Sequence, residues 1–394
     1  MTTRRQLVPF AALSASYFAH VGFFNPYLPL WLQDLGLSIF TISLLTSIPA
    51  ATRLFAPYAW GAWSDRTGER VKLLRYGATA ALLASAGLWF NYDQKAGAGV
   101  SVVWLGTALL LMFAHTSAMT PMSEAAMAHL VSRGGAFDVR LYGRVRLCGS
   151  LGFMVTVFMA GGWFQQFGMK QFPMWASLTL LAVVASVWFM PDIKEAVPAH
   201  QEKPRLMSIM CQRPVQWLFA AMFFHVLSHI SINIFLSLYL DSLGYSKTLI
   251  GALWVVSVAV EVGWFFTQGR WLPRLSLTAW LLVSSMAMTL RMGLMASSAS
   301  VLPVLVFAQA LHALTFAAHY TASAALLSQH FPGSLRGRGQ ALYTVIAYGC
   351  SGVLGGLAGG AISSHYGLAS IFWASMGVSL MAALCAIRLL RLRG

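Results

Sequence analysis

Leu30-Trp31-Leu32-Gln33-Asp34-Leu35-Gly36-Leu37-Ser38 returns 208 positions later as Leu238-Tyr239-Leu240-Asp241-Ser242-Leu243-Gly244-Tyr245-Ser246, and each copy closes a long apolar run. Two apolar runs ending in the same punctuation mark a duplicated half. The same offset sets Asn25 against Asn233 and Arg53 against Glu261, so polar residues fall at matching depths in the two copies.

With 58% hydrophobic and 9% charged residues and a mean hydropathy of +0.68 over 394 positions, the chain has too little charge to wet a soluble surface. It reads as an all-α integral membrane protein. Runs long enough to cross about 30 Å of hydrocarbon fall at 7–31, 40–62, 74–92, 102–128, 143–167 and 172–190. After a polar stretch, six more fall at 215–240, 248–268, 275–298, 301–328, 340–364 and 368–389. The pattern predicts twelve transmembrane helices in two six-helix bundles, 1–190 and 215–394, joined by a cytoplasmic loop at 191–214. An even number of spans between the repeats gives both halves one orientation, hence a pseudo-twofold axis along the membrane normal.

Charge placement sets the orientation. With the N-terminus inside, only Lys95, Lys170 and Lys247 of the 26 Lys and Arg fall outside, while Arg53 and Arg291 lie within spans. By the positive-inside rule both termini are expected in the cytoplasm, in a multi-pass protein of a bacterial inner membrane. The net charge of +15 then reflects topology and attraction to anionic headgroups in the bilayer, not a nucleic-acid partner. Arg4 and Arg5 ahead of an apolar run resemble a signal sequence, but the run is too long and leads into a second span, so it is expected to stay as the first helix. Cys148, Cys211, Cys350 and Cys385 have no metal-ligand spacing, and no phosphate-binding loop occurs. No metal or cofactor is expected, and energy has to come from a gradient.

Between the second and third runs stands Gly61-Ala62-Trp63-Ser64-Asp65-Arg66-Thr67-Gly68-Glu69-Arg70-Val71-Lys72, or G-x-x-x-D-R-x-G-x-R-x-K. Gly61 is expected to allow close helix contact, and Gly68 to supply a turn with positive φ. Asp65 is expected to cap a neighbouring helix or pair with an arginine, Arg66 and Arg70 being nearby, in a contact made in one gating state and broken in the other. The plainer alternative is a solvated basic loop that only sets topology. The second-half counterpart, Gly269-Arg270-Trp271-Leu272-Pro273-Arg274, is degenerate. The first-half motif resembles the major facilitator signature, and the resemblance implies that superfamily's fold of two six-helix bundles.

Inside the spans lie Glu124, Glu261, Arg53 and Arg291, with Arg144 and Arg146 near the start of the fifth. Each costs about 3 kcal/mol by insertion scales unless paired or wet, so such residues are read as functional. For Arg53, an interhelix structural charge is the equal alternative.

Pro121-Met122-Ser123-Glu124, followed from Phe137 by F-x-x-x-x-Y-G-R-x-R-x-x-G, resembles the branch of the lactose and phenylpropionate permeases. The resemblance implies that Glu124 and Arg146 bind substrate across helices four and five, and that Glu261 is the acid of helix eight. Span nine carries Arg291. Span ten reads Leu311-His312-Ala313-Leu314-Thr315-Phe316-Ala317-Ala318-His319, similar to the L-H-x-x-T-F-x-x-H run of phenylpropionate permeases. Residues 312, 315 and 319 share a helical face expected to border a cavity. Three departures from the sugar permease stand out. Thr315 replaces its proton-carrying acid, and Gln309 replaces a lysine whose acid partner on helix seven is also missing, so base and acid vanish together as a pair. Phe153 replaces the tryptophan that stacks on sugar. These argue against a lactose-like substrate.

The expected function is a proton-coupled symporter importing a small organic solute by alternating access, first an aromatic carboxylate of the phenylpropionate type. An oligosaccharide or nucleoside symporter is the alternative, and a passive facilitator or drug exporter shares the architecture. Substrate binding is assigned to Glu124, Arg146, Arg144, Phe153, Asn25 and Asn233, ringed by Phe24, Tyr27 and Phe235. Proton coupling is assigned to Glu261, Glu124, His312, Arg291 and His319. Arg146 can hold a carboxylate bidentately, and low dielectric favours a neutral acid beside that anion. His312 reads equally as a proton relay or a packing residue, and Asn25 and Asn233 as substrate contacts or helix glue. The expected partners are the solute, protons and lipid, with a monomer as the working unit. A membrane enzyme or haem protein, suggested by His225 with His229 and His312 with His319, lacks a loop able to hold a catalytic domain.

Overall fold

The computed structural model describes residues 3–91, 100–117, 119–131, 139–192, 206–332 and 335–393. Lys95, Phe137 and the stretch 193–205 of the expected central loop lie outside the described residues. Among the described residues, twelve helices are long and apolar enough to cross a membrane: Leu7–Asp34, Ile39–Thr67, Arg70–Phe90, Val102–Glu124, Gly143–Phe167, Met169–Trp188, Arg213–Ser242, Lys247–Arg274, Leu277–Ser298, Leu302–His330, Arg336–Tyr366 and Ala369–Leu392. They are numbered here as spans one to twelve.

The repeated stretch is a helix stop followed by a helix start, built twice from the same atoms. In the first copy Leu37 N–H donates to the Leu32 carbonyl at 3.2 Å and Gly36 N–H to Gln33 at 2.9 Å. In the second, Tyr245 N–H donates to Leu240 at 3.1 Å and Gly244 N–H to Asp241 at 2.9 Å. Both are glycine-centred C-caps that satisfy carbonyls the helix leaves open, and they need the left-handed φ of Gly36 (79°) and Gly244 (84°). The next helix starts two residues on. Ser38 Oγ accepts from Thr41 N–H and Ser246 Oγ from Leu249 N–H, each at 3.2 Å.

Contacts divide the chain into two compact units, Met1–Leu37 with Ala51–Gln201, and Ser38–Ala50 with Glu202–Gly394. In the first, span one packs on spans five and six, and span three on four and six. In the second, span seven packs on eleven and twelve, and span nine on ten and twelve. Trp31 stacks on Phe172 with centroids 4.9 Å apart, and its repeat partner Tyr239 meets Phe372 at 5.0 Å. A Cβ on Gly149 or Gly152 of span five would collide with Ser14, Phe18 or Ala15 of span one, so small residues set that close approach.

One boundary differs from the expected 1–190 and 215–394. The first half of span two, 38–50, belongs by its contacts to the second unit. Gly352, Gly356 and Gly360 of span eleven present successive backbone turns to it. A Cβ at those positions would strike Ala50, Ser47 and Ser43 respectively. Span two is itself broken into Ile39–Thr46, Ile48–Thr52 and Ala56–Thr67. Pro57 has no N–H to offer the Arg53 carbonyl, and the helix lapses over residues 53–55.

Candidate functional site

In the first unit, span four brings Glu124 to Arg146 of span five, with Oε1 and Nη1 3.1 Å apart and both side chains about two-fifths exposed (36% and 42%). The guanidinium lies over the Phe18 ring of span one, 5.2 Å from its centroid. A small cleft of about 20 Å³ opens beside the pair, lined by Phe10, Leu13, Ser14, Tyr17 and Phe18 of span one, by Met119, Thr120, Ser123 and Met127, and by Val145. Its wall is mostly aromatic and aliphatic, with one ion pair and a few hydroxyls. Such a wall suits a ligand with an apolar body and a charged end.

Other residues expected here stand differently. Arg144 is exposed in the first turns of span five, and Phe153 is half-buried, its backbone pressed against Gly22 so that a Cβ there would come within 2.7 Å of the Phe153 carbonyl oxygen. Asn25 is exposed although Phe23, Phe24, Pro26 and Tyr27 around it are buried, and Asn233 repeats this among the buried residues of span seven. Phe24, Tyr27 and Phe235 do not ring a cavity. Phe24 packs on Phe113 and Phe172, Tyr27 Oη donates to the Val157 carbonyl at 2.9 Å, and Phe235 abuts Gly359; each is at most 1% exposed. Spans one and seven use these rings as core.

The second unit holds a deeper constellation centred on Arg291 of span nine, which is wholly buried. Its Nη1 donates to His312 Nδ1 at 3.2 Å and to Thr315 Oγ1 at 2.9 Å, and its Nη2 to Gln309 Oε1 at 2.8 Å. Ser257 Oγ of span eight donates to the same Gln309 oxygen at 2.8 Å. Arg291 Nε is buried with no hydrogen-bond partner among the described residues. A guanidinium only donates, so His312 must offer Nδ1 as an acceptor and carry its proton on Nε2. That nitrogen faces Glu261 Oε2 at 3.3 Å. Guanidinium, imidazole and carboxyl thus form a line in which each hydrogen bond fixes the direction of the next.

Histidines back this line. His225 Nε2 donates to the Thr315 carbonyl at 2.7 Å, and its ring stacks on His319 with centroids 3.7 Å apart and planes 5° from parallel. His229 lies 5.5 Å from His312 and 5.8 Å from Phe316. Ala313–Ala318, between His312 and His319, is π-helical, a widening of the helix that is rare and concentrated at functional sites.

The loop after span two keeps its ion pair local. Arg70 Nη2 lies 3.5 Å from Asp65 Oδ1 and Arg70 Nε donates to Ser64 Oγ at 3.2 Å; Gly68 closes the helix with φ 68°, and Arg66 is exposed. Gly61 meets no atom within 4 Å of where a Cβ would stand. No close helix contact is seen at Gly61 among the described residues. Arg53 sits at the break before Pro57 with its side chain exposed.

A profile of the MFS_1 like family matches residues 12–374. The chain belongs to that family of major facilitator transporters. It is 26% identical over 369 residues to a protein of Escherichia coli K12 described as a probable 3-phenylpropionic acid transporter, covering 93% of each chain. It is 28% identical over 273 residues to the maltose permease of Geobacillus stearothermophilus, covering 68% of this chain and 66% of that one. A crystal structure of a mutant of the nucleoside transporter NupG superposes with a TM-score of 0.82 at 15% identity, over 98% of this chain and 99% of that one. That last likeness is one of fold. The MFS chain is a multi-pass membrane transporter of small molecules, not an enzyme.

Sequence reasoning named Arg291, His312 and Glu261 but missed Gln309, Thr315 and Ser257 as their partners. It read Gln309 as the place of a lost ion-pair lysine and Thr315 as that of a lost proton-carrying acid, whereas both accept from Arg291. The signal was available: a buried guanidinium with no acid on its own helix has to find neutral acceptors.

Proposed function

We propose that this transporter is a proton symporter that imports an aromatic carboxylate of the phenylpropionate type by alternating access, as a monomer in the inner membrane with both termini in the cytoplasm. The observation that carries the reading is the Glu124–Arg146 pair at the mouth of an aromatic and aliphatic cleft. A substrate carboxylate competes with Glu124 for the guanidinium. Two carboxylates on one arginine repel, so the substrate gains its bidentate contact when Glu124 takes a proton and lets go. Binding of the anion and of the proton then favour each other. The name of the Escherichia coli relative supports the substrate class.

In the second unit, Arg291 and ionised Glu261 balance across His312. A proton on Glu261 leaves the line with one uncompensated positive charge. His312 cannot take a second proton on Nδ1 without setting two donors against each other, so Glu261 is the carrier and His312 its fixed partner. One proton moving with one carboxylate transfers no net charge, and the pH gradient drives it; a second proton would add about 2.3 kcal/mol per 100 mV of membrane potential.

Oligosaccharide symport is the second reading, favoured by the maltose permease relative; the few hydroxyls in the cleft place it behind. The test is counterflow in proteoliposomes without a pH gradient, with 3-phenylpropionate and maltose as competing solutes. Exchange of the acid, with KM raised about tenfold or more in Arg146→Gln through loss of charge-assisted hydrogen bonds, is the expected result. Exchange of maltose and not the acid refutes the substrate assignment.

A further inference from the structure

The geometry points to His225 of span seven as a positioning residue for the proton line of the second unit, acting through the π-helical turn of span ten. In an α-helix each carbonyl takes the N–H four residues on, which would give the Thr315 carbonyl to His319. Here the His319 N–H goes to the Phe316 carbonyl. The Thr315 carbonyl takes His225 Nε2–H, at 2.7 Å. Both residues are 1% exposed, so bulk water cannot answer that carbonyl, and the imidazole spares the turn the cost of a buried acceptor left open.

Two contacts hold the imidazole in this pose. Its ring stacks on His319, with centroids 3.7 Å apart and planes 5° from parallel, and its Nδ1 lies 3.3 Å from Ser285 Oγ of span nine. A carbonyl only accepts, so a proton is fixed on Nε2. Thr315 is then held at both ends. Its carbonyl is tied to span seven, while its Oγ1 accepts from Arg291 Nη1 at 2.9 Å. That nitrogen carries two protons, and the other goes to His312 Nδ1 at 3.2 Å. His312 stands directly before the widened segment Ala313–Ala318 and faces Glu261 Oε2 through Nε2 at 3.3 Å. Pinning the middle of the turn therefore sets both acceptors of Nη1, and with them the aim of His312 at Glu261.

This inference rests on the proposed proton line, with Glu261 as carrier, and adds the residue that keeps its partner aligned. The test compares, for the full-length protein in proteoliposomes, accumulation of labelled 3-phenylpropionate under an inward proton gradient with its exchange at equal pH. His225→Phe keeps a ring to stack on His319 and loses the donor, whereas His225→Gln keeps a donor and loses the ring. Accumulation is expected to fall about fivefold or more in His225→Phe, the scale of one lost buried hydrogen bond, with exchange within about twofold of wild type. His225→Gln is expected to keep most of the accumulation. A merely structural defect lowers both activities together, in proportion to the folded protein left. Heteronuclear NMR of histidine-labelled wild type, with His225→Gln assigning the signal, is expected to place the ring proton on Nε2. If thermal melting shows that His225→Phe is not folded, the glutamine variant and the ring proton decide. A His225 ring protonated on Nδ1 alone overturns the inference and leaves the symport reading standing. So does a folded His225→Phe that accumulates as wild type does or loses both activities alike, and so does a His225→Gln that no longer accumulates. Wild type that accumulates no acid under the gradient overturns the symport reading and the inference with it.

Discussion

Arg291 makes three hydrogen bonds to neutral side chains at full burial, and among the described residues one imidazole links it to a carboxyl. A planar fork can reach acceptors on three sides, whereas an ammonium is a compact point charge. Arg291→Lys is therefore expected to act as a loss of function. It should lower stability by about 3 kcal/mol, since two or more charge-assisted hydrogen bonds are broken inside the protein. Thermal melting and uptake together check this; a lysine variant with wild-type melting and transport contradicts it. The charged members of both clusters were legible in the sequence because an ionised residue in an apolar run stands out. Their neutral partners were not: Gln309, Thr315 and Ser257 look like any polar residue in a helix until the fold brings Arg291 against them. The rings were misread for a related reason. Composition marks Phe24, Tyr27 and Phe235 as aromatic but does not say which side of the helix faces neighbours.

At the scale of the element, the twelve spans follow from apolar run length, and the structure sets most ends within a few residues of the expected ones. The stop-and-start cassette was visible as a repeat, and its glycines explain why it is legible twice. Gly36→Ala and Gly244→Ala should each cost about 1–2 kcal/mol, the penalty for a left-handed residue with a Cβ, and by similar amounts because the two caps use the same bonds. Chemical denaturation measures both, and a cost in one copy alone would contradict their equivalence. The allegiance of 38–50 was not legible, since it depends on contact and not on local pattern. Gly356→Ala places a methyl group against Ser47 and is expected to cost about 1–3 kcal/mol by overpacking. Ser47→Ala in the same chain should recover part of that cost, a coupling that a double-mutant cycle reads directly.

For the whole molecule, duplication supplies two similar frames that have come to hold different chemistry. The first has an exposed ion pair beside an apolar cleft, and the second a buried guanidinium, imidazole and carboxyl in line. Fold and family were legible from the sequence because membrane helices declare themselves by length and the loop motif by its spacing. The chemistry of coupling was legible only in part, since a proton's path depends on which atom faces which. Within the second unit that geometry supports the proposal that Glu261 is the proton carrier. The direct test is accumulation of labelled 3-phenylpropionate by proteoliposomes under an inward proton gradient, above the level of protein-free vesicles, compared between wild type and Glu261→Gln. Gradient-driven excess in wild type, absent in Glu261→Gln while exchange at equal pH persists, is the predicted result; a Glu261→Gln protein that accumulates the acid as wild type does would contradict it.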